Sequence, residues 1–400
     1  MIPLISIFLL FGLNSIVNGF VCMNDGHFAN PDDKHSFFQC SFGTPYLMQC
    51  PPTLVWSQDK YTCDYDTFQP IISCDDNTVV NCQENSKWLS DGIAFVGQDI
   101  KFGSDSLHLG APFGIFVDTE HGNNIYVADT DNHRVQKFLH GSLTSGGITV
   151  AGGNSRGNAS NQLDRPSSIY VDKDENVYVA DNENNRVQLW AKGATSGITV
   201  AGGHGKGKAL NQIGACQGIF VHEKTKTLYV SDFYNDRVVK WTEGSHEGII
   251  VAGSGTSGSK ANQLTAPRGI FVDQCETIYV TDPWNNRVQK WKKDATEGIT
   301  VAGGNGKGSD LNQLNFPWDV QVDQYNNIYI MDTDNSRVVK WSSNQLSGEI
   351  ILGGNGSGIK SNQFKQAHSL ALDKQGNIFV TERLNHRVQM FQIDNQTITC

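Results

Sequence analysis

The chain has 400 residues, of which 38% are hydrophobic and 18% charged, with 41 glycines and a formal net charge of −10. This composition offers enough apolar surface to fold, which excludes wholesale disorder, and 10% aromatic residues with many glycines favour β-structure over helical bundles. The acidic balance argues against nucleic acids and other polyanions as partners, because phosphates are held by lysine and arginine.

Residues 1–19 have the pattern of a secretory signal peptide. An apolar run extends from Ile2 to Leu13, and small residues at Val17 and Gly19 suit cleavage before Phe20. The run is short for a bilayer core of about 30 Å, and no later segment approaches a membrane span. We therefore expect a secreted, extracellular protein that has lost its leader; a retained anchor and a buried N-terminal strand are the alternatives.

Cysteines are concentrated near the N-terminus. Six of the nine fall in one short stretch, at Cys22, Cys40, Cys50, Cys63, Cys74 and Cys82. In a secreted chain this density indicates a disulfide framework, and the odd total leaves at least one thiol unpaired in a monomer. Aromatic residues crowd between these cysteines, and a small module cannot bury them all. Exposed rings in such a module suit stacking on sugars.

Cysteines, aromatic residues and turn residues form a pattern in the runs 30–40, 50–52, 54–56 and 62–65, with Gly43 between the first two. In its order and spacing this pattern resembles the peritrophin-A, or type-2, chitin-binding domain. We assign residues 20–75 to this module and residues 76–91 to a linker. The resemblance implies chitin or a related polysaccharide as partner, with sugar contacts from Phe37, Phe38, Tyr46, Trp56, Asp64 and Tyr65. Phe37 could instead belong to the core of the module, because adjacent strand residues point to opposite faces.

The resemblance also implies a disulfide pattern. It pairs Cys22 with Cys40 and Cys50 with Cys63. Lys34 stands where the family has its second cysteine, so Cys74 loses its usual partner.

The rest of the chain is an internal repeat. Arg-Val dipeptides recur at spacings of 52, 51, 50, 50 and 50 residues, at Arg134, Arg186, Arg237, Arg287, Arg337 and Arg387. Each unit contains four short β-branched or aromatic runs separated by turn residues, which is typical of one propeller blade. A solenoid is the alternative, but it needs polar capping repeats. A lone strand, Ile93 to Val96, precedes the array, and the last unit ends after its third strand, Val388 to Phe391. We expect the lone strand to complete the last blade and close the ring.

These units resemble NHL repeats, in the runs 132–135 and 385–388 and in the turns at Asp129 and Asp181. The resulting fold class is all-β: a small disulfide-stapled module followed, over residues 92–400, by a six-bladed propeller of four-stranded blades. RNA-binding members of this family rely on a basic face. Here the propeller carries 31 acidic and 28 basic residues, after the ten acidic and three basic residues between Phe20 and Asp91 are set aside, which disfavours RNA.

Residues that recur in every blade are expected to be structural. The repeated acid (Asp129 and its equivalents, Glu382 in the last unit) and the repeated arginine suit turn-holding hydrogen bonds. Function is expected where the blades differ, just after the proline of the innermost strand and just after the repeated acid. We expect these positions to form a ligand face at one mouth of the channel, from Phe233, Tyr234, Arg268, Trp284, Trp318 and His368. Ordinary surface variation is the alternative.

No enzyme motif appears, so we predict no catalytic residues, no metal and no cofactor. A metal-dependent propeller lyase or lactonase, built on His368 and channel acids, is an alternative. Glycosylation sequons occur at Asn158, Asn355 and Asn395. A disulfide between Cys82 and Cys400 would lock the ring, with Cys74–Cys82 as its rival, whereas Cys216 and Cys275 are not expected to meet.

The sequence thus predicts a secreted chitin-binding adaptor. Its N-terminal module would bind β-linked N-acetylglucosamine polymer, and its propeller would present a second face to an unknown protein or glycan. The alternatives are a protein-interaction platform whose sugar module has degenerated, and the propeller enzyme.

Overall fold

The structure is a computed structural model that describes residues 86–141, 146–343 and 345–394, together with the backbone of seven strands before residue 66. The chain divides into two units, Met1–Ile71 and Ile72–Cys400.

The N-terminal unit contains only β-strands among its described residues. They are β1 Ile16–Val17, β2 Phe20–Val21, β3 Gly26–Ala29, β4 Ser36–Ser41, β5 Thr44–Gln49, β6 Leu54–Ser57 and β7 Thr62–Tyr65. Strands β3, β4 and β5 form an antiparallel sheet, while β1 pairs with β2 and β6 with β7. The six candidate sugar-binding residues all fall on β4, β5, β6 and β7, and their side chains lie outside the described residues.

The second unit is a propeller of six four-stranded antiparallel sheets, which confirms the predicted fold class. Blade 1 is β9 Ile115–Asp118, β10 Asn124–Asp129, β11 Arg134–Phe138 and β12 Ile148–Gly152. Blade 2 is β13 Pro166–Val171, β14 Val177–Asp181, β15 Arg186–Trp190 and β16 Ile198–Gly202. Blade 3 is β17 Cys216–His222, β18 Thr227–Asp232, β19 Arg237–Trp241 and β20 Ile249–Ala252.

The other three blades follow the same order from the channel outwards. Blade 4 is β21 Ile270–Val272, β22 Ile278–Asp282, β23 Arg287–Trp291 and β24 Ile299–Gly303. Blade 5 is β25 Pro317–Val322, β26 Ile328–Asp332, β27 Arg337–Trp341 and β28 Glu349–Gly353. Blade 6 is β29 Ala367–Leu372, β30 Ile378–Glu382, β31 Arg387–Phe391 and β8 Ile93–Val96.

Strand β8 closes the ring, as the sequence predicts. It pairs antiparallel with β31 as the outermost strand of blade 6, with Val96 opposite Val388 and Ile93 opposite Met390. On this strand, Phe95 packs edge-on against Phe379 of blade 6, with ring centroids 5.7 Å apart. Because the first strand of the unit completes its last blade, the ring presents no unpaired sheet edge at the joint.

The segment before β8 also packs on the propeller. The Trp88 indole donates a 2.7 Å hydrogen bond from Nε1 to the Gly376 carbonyl and lies edge-on to Tyr329, with ring centroids 6.0 Å apart. The sequence assigns residues 76–91 to a linker, yet residues 86–91 lie against blade 6 and include a bridge between Trp88 and Ile393. The buried indole explains the difference, because removing a tryptophan from water stabilises docking by a few kcal/mol.

The core consists of apolar layers between neighbouring blades. One layer, for example, joins Ala180 and Val187 of blade 2 to Val221, Val230 and Trp241 of blade 3. The large side chains at the ends of the third strands, such as Trp190, Trp291 and Trp341, are among the most deeply buried. This repetition explains why the aromatic residue recurs in every unit.

A six-fold polar motif holds each blade to the loop that leads into it. In blade 4, Asp282 accepts hydrogen bonds from the Thr265 backbone N–H, from Asn285 Nδ2 and from Arg287 Nε, each 2.8 Å long. Arg287 also donates to carbonyl oxygens of that loop, including Ser259 at 2.9 Å. A single 3-10 turn follows the acid in every blade: η1 Thr130–Asn132, η2 Asn182–Asn184, η3 Phe233–Asn235, η4 Pro283–Asn285, η5 Thr333–Asn335 and η6 Arg383–Asn385. The repeated acids and arginines are therefore occupied in structural bonds.

Candidate channel-mouth site

Two sets of variable residues meet at one end of the propeller ring, which we call the channel mouth. The first set lies at or just before the start of each innermost strand: Phe113, Ser167, Gln217, Arg268, Trp318 and His368. The second set opens each 3-10 turn: Thr130, Asn182, Phe233, Pro283, Thr333 and Arg383. The sets contact each other directly, since Gln217 Nε2 donates to Asn182 Oδ1 at 3.1 Å and the Arg268 guanidinium lies 4.6 Å from the Phe233 ring centroid. The sequence pattern alone predicts this convergence.

At the centre of the mouth, side chains from blades 4, 5, 6 and 1 form a layered stack. The guanidinium of Arg268 lies 3.6 Å from the centroid of the Trp318 ring. On the other side of Trp318 lies His368. The imidazole and indole planes are within 10° of parallel, and their ring centroids are 3.7 Å apart. Phe113 then meets His368 edge-on at 4.4 Å. Arginine on an indole face is a favourable cation–π arrangement, so the stack holds Arg268 in a defined position.

Further groups extend the stack at both ends. Phe316 lies 5.5 Å from the Arg268 guanidinium, and Arg383 lies 5.5 Å from the Phe113 ring centroid. The stack therefore has three consecutive rings between its two cations. Phe316 and Arg383 are absent from the predicted ligand face, although Arg383 does occupy one of the variable positions that the repeat alignment identifies.

The hydrogen bonds of the two arginines are few. Arg268 Nη1 donates to Gln217 Oε1 at 2.9 Å, and Arg383 Nη1 donates to Gln366 Oε1 at 3.0 Å. The Nε atoms of both side chains are buried without a hydrogen-bond partner among the described residues. Nδ1 of His368 is likewise buried and unpartnered, and that side chain is only 2% exposed.

Burial and charge set the protonation of this cluster. Burial lowers the pKa of Arg268 to about 9, which still leaves the guanidinium charged at neutral pH. Burial, reinforced by the positive charges of Arg268 and Arg383, holds the pKa of His368 well below its usual range. The imidazole is therefore neutral, and the net charge of the stack is positive.

The exposed aromatic surface lies at the rim. Trp284 is 63% exposed and touches Phe316 edge-on, with ring centroids 5.6 Å apart. Tyr234 is 57% exposed, and the ammonium of Lys206 lies 3.8 Å from its ring centroid. Of the six predicted ligand-face residues, these two present open ring surface, whereas the faces of Trp318 are occupied by Arg268 and His368.

Behind the mouth, the six innermost strands line a narrow cavity of about 70 Å³, which has room for a few water molecules. Asp319 is buried here, and its carboxylate accepts hydrogen bonds from the Ser369 hydroxyl at 2.5 Å and from the Leu370 and Val320 backbone N–H groups. Burial raises the pKa of Asp319 to about 6. Sequence reasoning missed Asp319; its signal is a carboxylate at a position where other blades have glycine or serine, as at Gly269 and Ser369.

Only some of the predicted glycosylation sites and cysteines lie among the described residues. Asn158 and Asn355 lie on exposed loops, whereas Asn395 lies outside the described residues, as do Cys22, Cys50, Cys82 and Cys400. The side chains of Cys40 and Cys63, on strands β4 and β7, are outside them too. Cys216 is a free, buried thiol, and Cys275 is disulfide-bonded.

Within residues 86–141, 146–343 and 345–394, no three His, Cys, Asp or Glu side chains come together as a metal-binding group. The same ranges contain no helix with the length and apolar character of a membrane span.

Comparison with protein families identifies both parts of the chain. Residues 22–70 match the Chitin binding Peritrophin-A domain, and residues 121–138, 163–189 and 364–391 match the NHL repeat. Peritrophin-1 of Anopheles gambiae is 43% identical over 37 residues. That match covers 9% of this chain and 24% of Peritrophin-1, so the chain spans about a quarter of the length of this relative.

Solved structures share the propeller fold. A protein of unknown function from Bacteroides thetaiotaomicron is 17% identical, with a TM-score of 0.60 over 77% of each chain. An auxiliary nutrient binding protein from the same species is 13% identical, with a TM-score of 0.58 over 90% of this chain and 89% of that one. A gluconolactonase from Xanthomonas campestris is 10% identical, with a TM-score of 0.54 over 78% of this chain and 95% of that one. At these identities the likeness shows the fold alone. The chain thus carries a peritrophin-A chitin-binding domain followed by a six-bladed propeller that contains NHL repeats.

Proposed function

We propose that the protein is a secreted adaptor that binds chitin, or a related β-linked N-acetylglucosamine polymer, through its N-terminal domain. The observation that carries this proposal is the match of residues 22–70 to the peritrophin-A domain. The similarity to Peritrophin-1, the cysteine density and the leader-like pattern of residues 1–19 support an extracellular location.

The sugar contacts are assigned to the aromatic positions that the resemblance identifies. Phe38 on β4, Trp56 on β6 and Tyr65 on β7 supply rings whose faces match the apolar C–H faces of a sugar. Asp64, next to Tyr65, supplies a hydrogen-bond acceptor for sugar hydroxyls.

Retention of the full chain on chitin beads tests this assignment. We expect Trp56→Ala and Phe38→Ala to abolish retention, whereas Trp56→Phe, which keeps a ring, retains most of it. Trp284→Ala, in the propeller, serves as the matched control and should bind chitin normally. Unchanged retention of the Trp56→Ala and Phe38→Ala variants would refute the assigned sugar contacts, whereas no retention of the wild-type chain would favour the interaction platform with a degenerate sugar module.

The propeller is proposed to present the second binding face at its channel mouth. The exposed rings of Trp284 and Tyr234 and the charged Arg268 support this assignment. We assign binding rather than catalysis to the mouth because the acid next to it, Asp319, is held by Ser369 and backbone N–H groups. A stoichiometric metal ion in the purified protein would instead favour the lyase or lactonase alternative.

A further inference from the structure

The arginines of this chain divide into two classes. The sequence contains ten, and eight of them form ion pairs with a carboxylate: Arg134, Arg156, Arg165, Arg186, Arg237, Arg287, Arg337 and Arg387. The other two, Arg268 and Arg383, form no ion pair with any described residue, and both lie at the channel mouth. Two partly buried cations without a counter-charge are costly in a free protein, so their placement points to a ligand that supplies the charge.

The geometry keeps Arg268 ready for such a ligand. One face of the guanidinium is fixed on Trp318, and Nη1 is fixed by Gln217 at 2.9 Å. Nη2 donates to no described residue. Packing already fixes the rotamer of this planar guanidinium. The side chain therefore loses little conformational entropy when it binds an anion.

The cluster also selects the kind of anion. Lys206 and the two arginines carry the positive charge here, and the carboxylate of Asp319 is already bonded to Ser369 and backbone N–H groups. The propeller carries 31 acidic and 28 basic residues, so it has no excess of positive charge to hold a long polyanion, and a single carboxylate is the better match. The cavity behind the mouth, at about 70 Å³, has no room for a sugar ring, so the ligand must lie across the rim.

The rim itself supplies the surface for the uncharged part of the ligand. Trp284 is an exposed ring one residue removed from Arg268, since both contact Phe316, and an open indole face suits the C–H face of a pyranose ring. Tyr234 is exposed too, but the Lys206 ammonium covers one face of its ring. We propose that the channel mouth binds an acidic sugar, a hexuronic acid unit of a glycan, with its carboxylate on Arg268 and its ring against Trp284. This inference rests on the proposed second binding face and specifies its ligand.

The experiment is saturation-transfer NMR and calorimetry on the full chain with D-glucuronate, D-glucose and acetate as probes. We expect glucuronate to bind at least about tenfold more tightly than glucose or acetate, since only it offers both the charge and the ring. Arg268→Gln should weaken glucuronate binding by about tenfold or more, which is the usual range for a lost charge-assisted hydrogen bond. Trp284→Ala, at an exposed position that does not threaten folding, should weaken it severalfold.

The matched control is Arg165→Gln, which removes an arginine paired with Asp131 and should leave glucuronate binding unchanged. Equal affinity for glucose and glucuronate, or wild-type affinity in Arg268→Gln and Trp284→Ala, would overturn the inference. Tighter binding of an N-acetyl-aspartyl peptide than of glucuronate would overturn it too, in favour of a protein ligand. Chitin retention is measured on the same variants, so a failure of the N-terminal assignment is seen separately.

Discussion

The indole of Trp318 stacks on the imidazole of His368 with ring centroids 3.7 Å apart and ring planes within 10° of parallel. The two residues start the innermost strands of neighbouring blades, so the stack ties blade 5 to blade 6 at the channel mouth. The Trp318 ring also covers one face of the Arg268 guanidinium. The stack is thus a support for the charged group rather than an open sugar platform.

Removal of the indole is expected to restore the titration of His368. In the native protein, burial and the charges of Arg268 and Arg383 hold the pKa of His368 well below its usual range, so its NMR signals should show no titration near pH 6.5. In Trp318→Ala, water reaches the ring, and the pKa should rise towards its ordinary value. Trp284→Ala is the control, because the Trp284 indole packs on Phe316, whereas the indole that covers His368 is that of Trp318. The control variant should leave the pKa of His368 unchanged. A histidine that titrates near pH 6.5 in the wild type would contradict the prediction.

Asp319 should make the propeller less stable as the pH rises from about 4 to about 6. Burial raises its pKa from 3.8 to about 6, so between these values the folded state binds more protons than the unfolded state. A shift of this size corresponds to about 3 kcal/mol. Asp319→Asn cannot titrate, so its free energy of unfolding relative to the wild type should rise by about that amount between pH 4 and pH 7. Urea unfolding at several pH values measures this difference, and a pH-independent difference would refute the assignment.

Ring closure depends on the aromatic side chain that β8 contributes. Phe95 is buried against Phe379 of blade 6 and Phe138 of blade 1. Phe95→Ala should therefore lower the free energy of unfolding by about 3–5 kcal/mol, the usual cost of removing a buried phenylalanine ring. Ile93→Ala, on the same strand at an exposed position, should cost less than about 1 kcal/mol. Similar losses in the two variants, measured by urea unfolding, would mean that β8 docks mainly through its backbone.

The cysteines are expected to form four disulfides and leave one thiol. Cys216 is free, and Cys275 is bonded. If the pairs implied by the chitin-binding domain form, the predicted Cys82–Cys400 bond leaves Cys74 for Cys275. The rival Cys74–Cys82 bond would leave Cys275 for Cys400. Peptide mapping without reduction distinguishes the two, and a free Cys400 would contradict both.

Thiol counting provides an independent check on the same scheme. Cys216 is fully buried, and burial raises its pKa well above the usual range, so little reactive thiolate forms. We expect one thiol per chain to react with an aromatic disulfide reagent, and only after denaturation. Cys216→Ser should abolish the reaction, whereas a reactive thiol in the native protein would show that another cysteine is unpaired.

The repeat made the fold readable from the sequence. The last unit lacks its fourth strand, and a lone strand precedes the first unit, so closure by β8 follows from counting. The structural role of Asp282 and Arg287 was readable too, because a residue that recurs in every blade cannot mark one site. Local pattern carries this information because each blade repeats the same hydrogen bonds.

The channel mouth was only partly predictable. The repeat alignment identified the positions of Arg268, Trp318 and His368, but their order in the stack depends on side-chain contacts between blades. The sequence did not identify Asp319, because no motif surrounds it and its burial arises from the ring as a whole. The docking of Trp88 was not predicted for a similar reason, because its hydrogen-bond partner Gly376 belongs to blade 6, near the far end of the sequence.

The pairing of β8 with β31 also orders events during synthesis. About 290 residues separate Val96 from its partner Val388, so the first strand of the ring leaves the ribosome long before the last. The hairpins within each blade are local and can form as they emerge, but ring closure must overcome the entropy of the whole intervening chain. Until then, β8 has no strand to pair with, and the Phe95 ring lacks its contact with Phe379. A nascent chain that ends before β31 would therefore leave the backbone edge of β8 unpaired, so complete pairing of β8 requires the whole propeller to be synthesised.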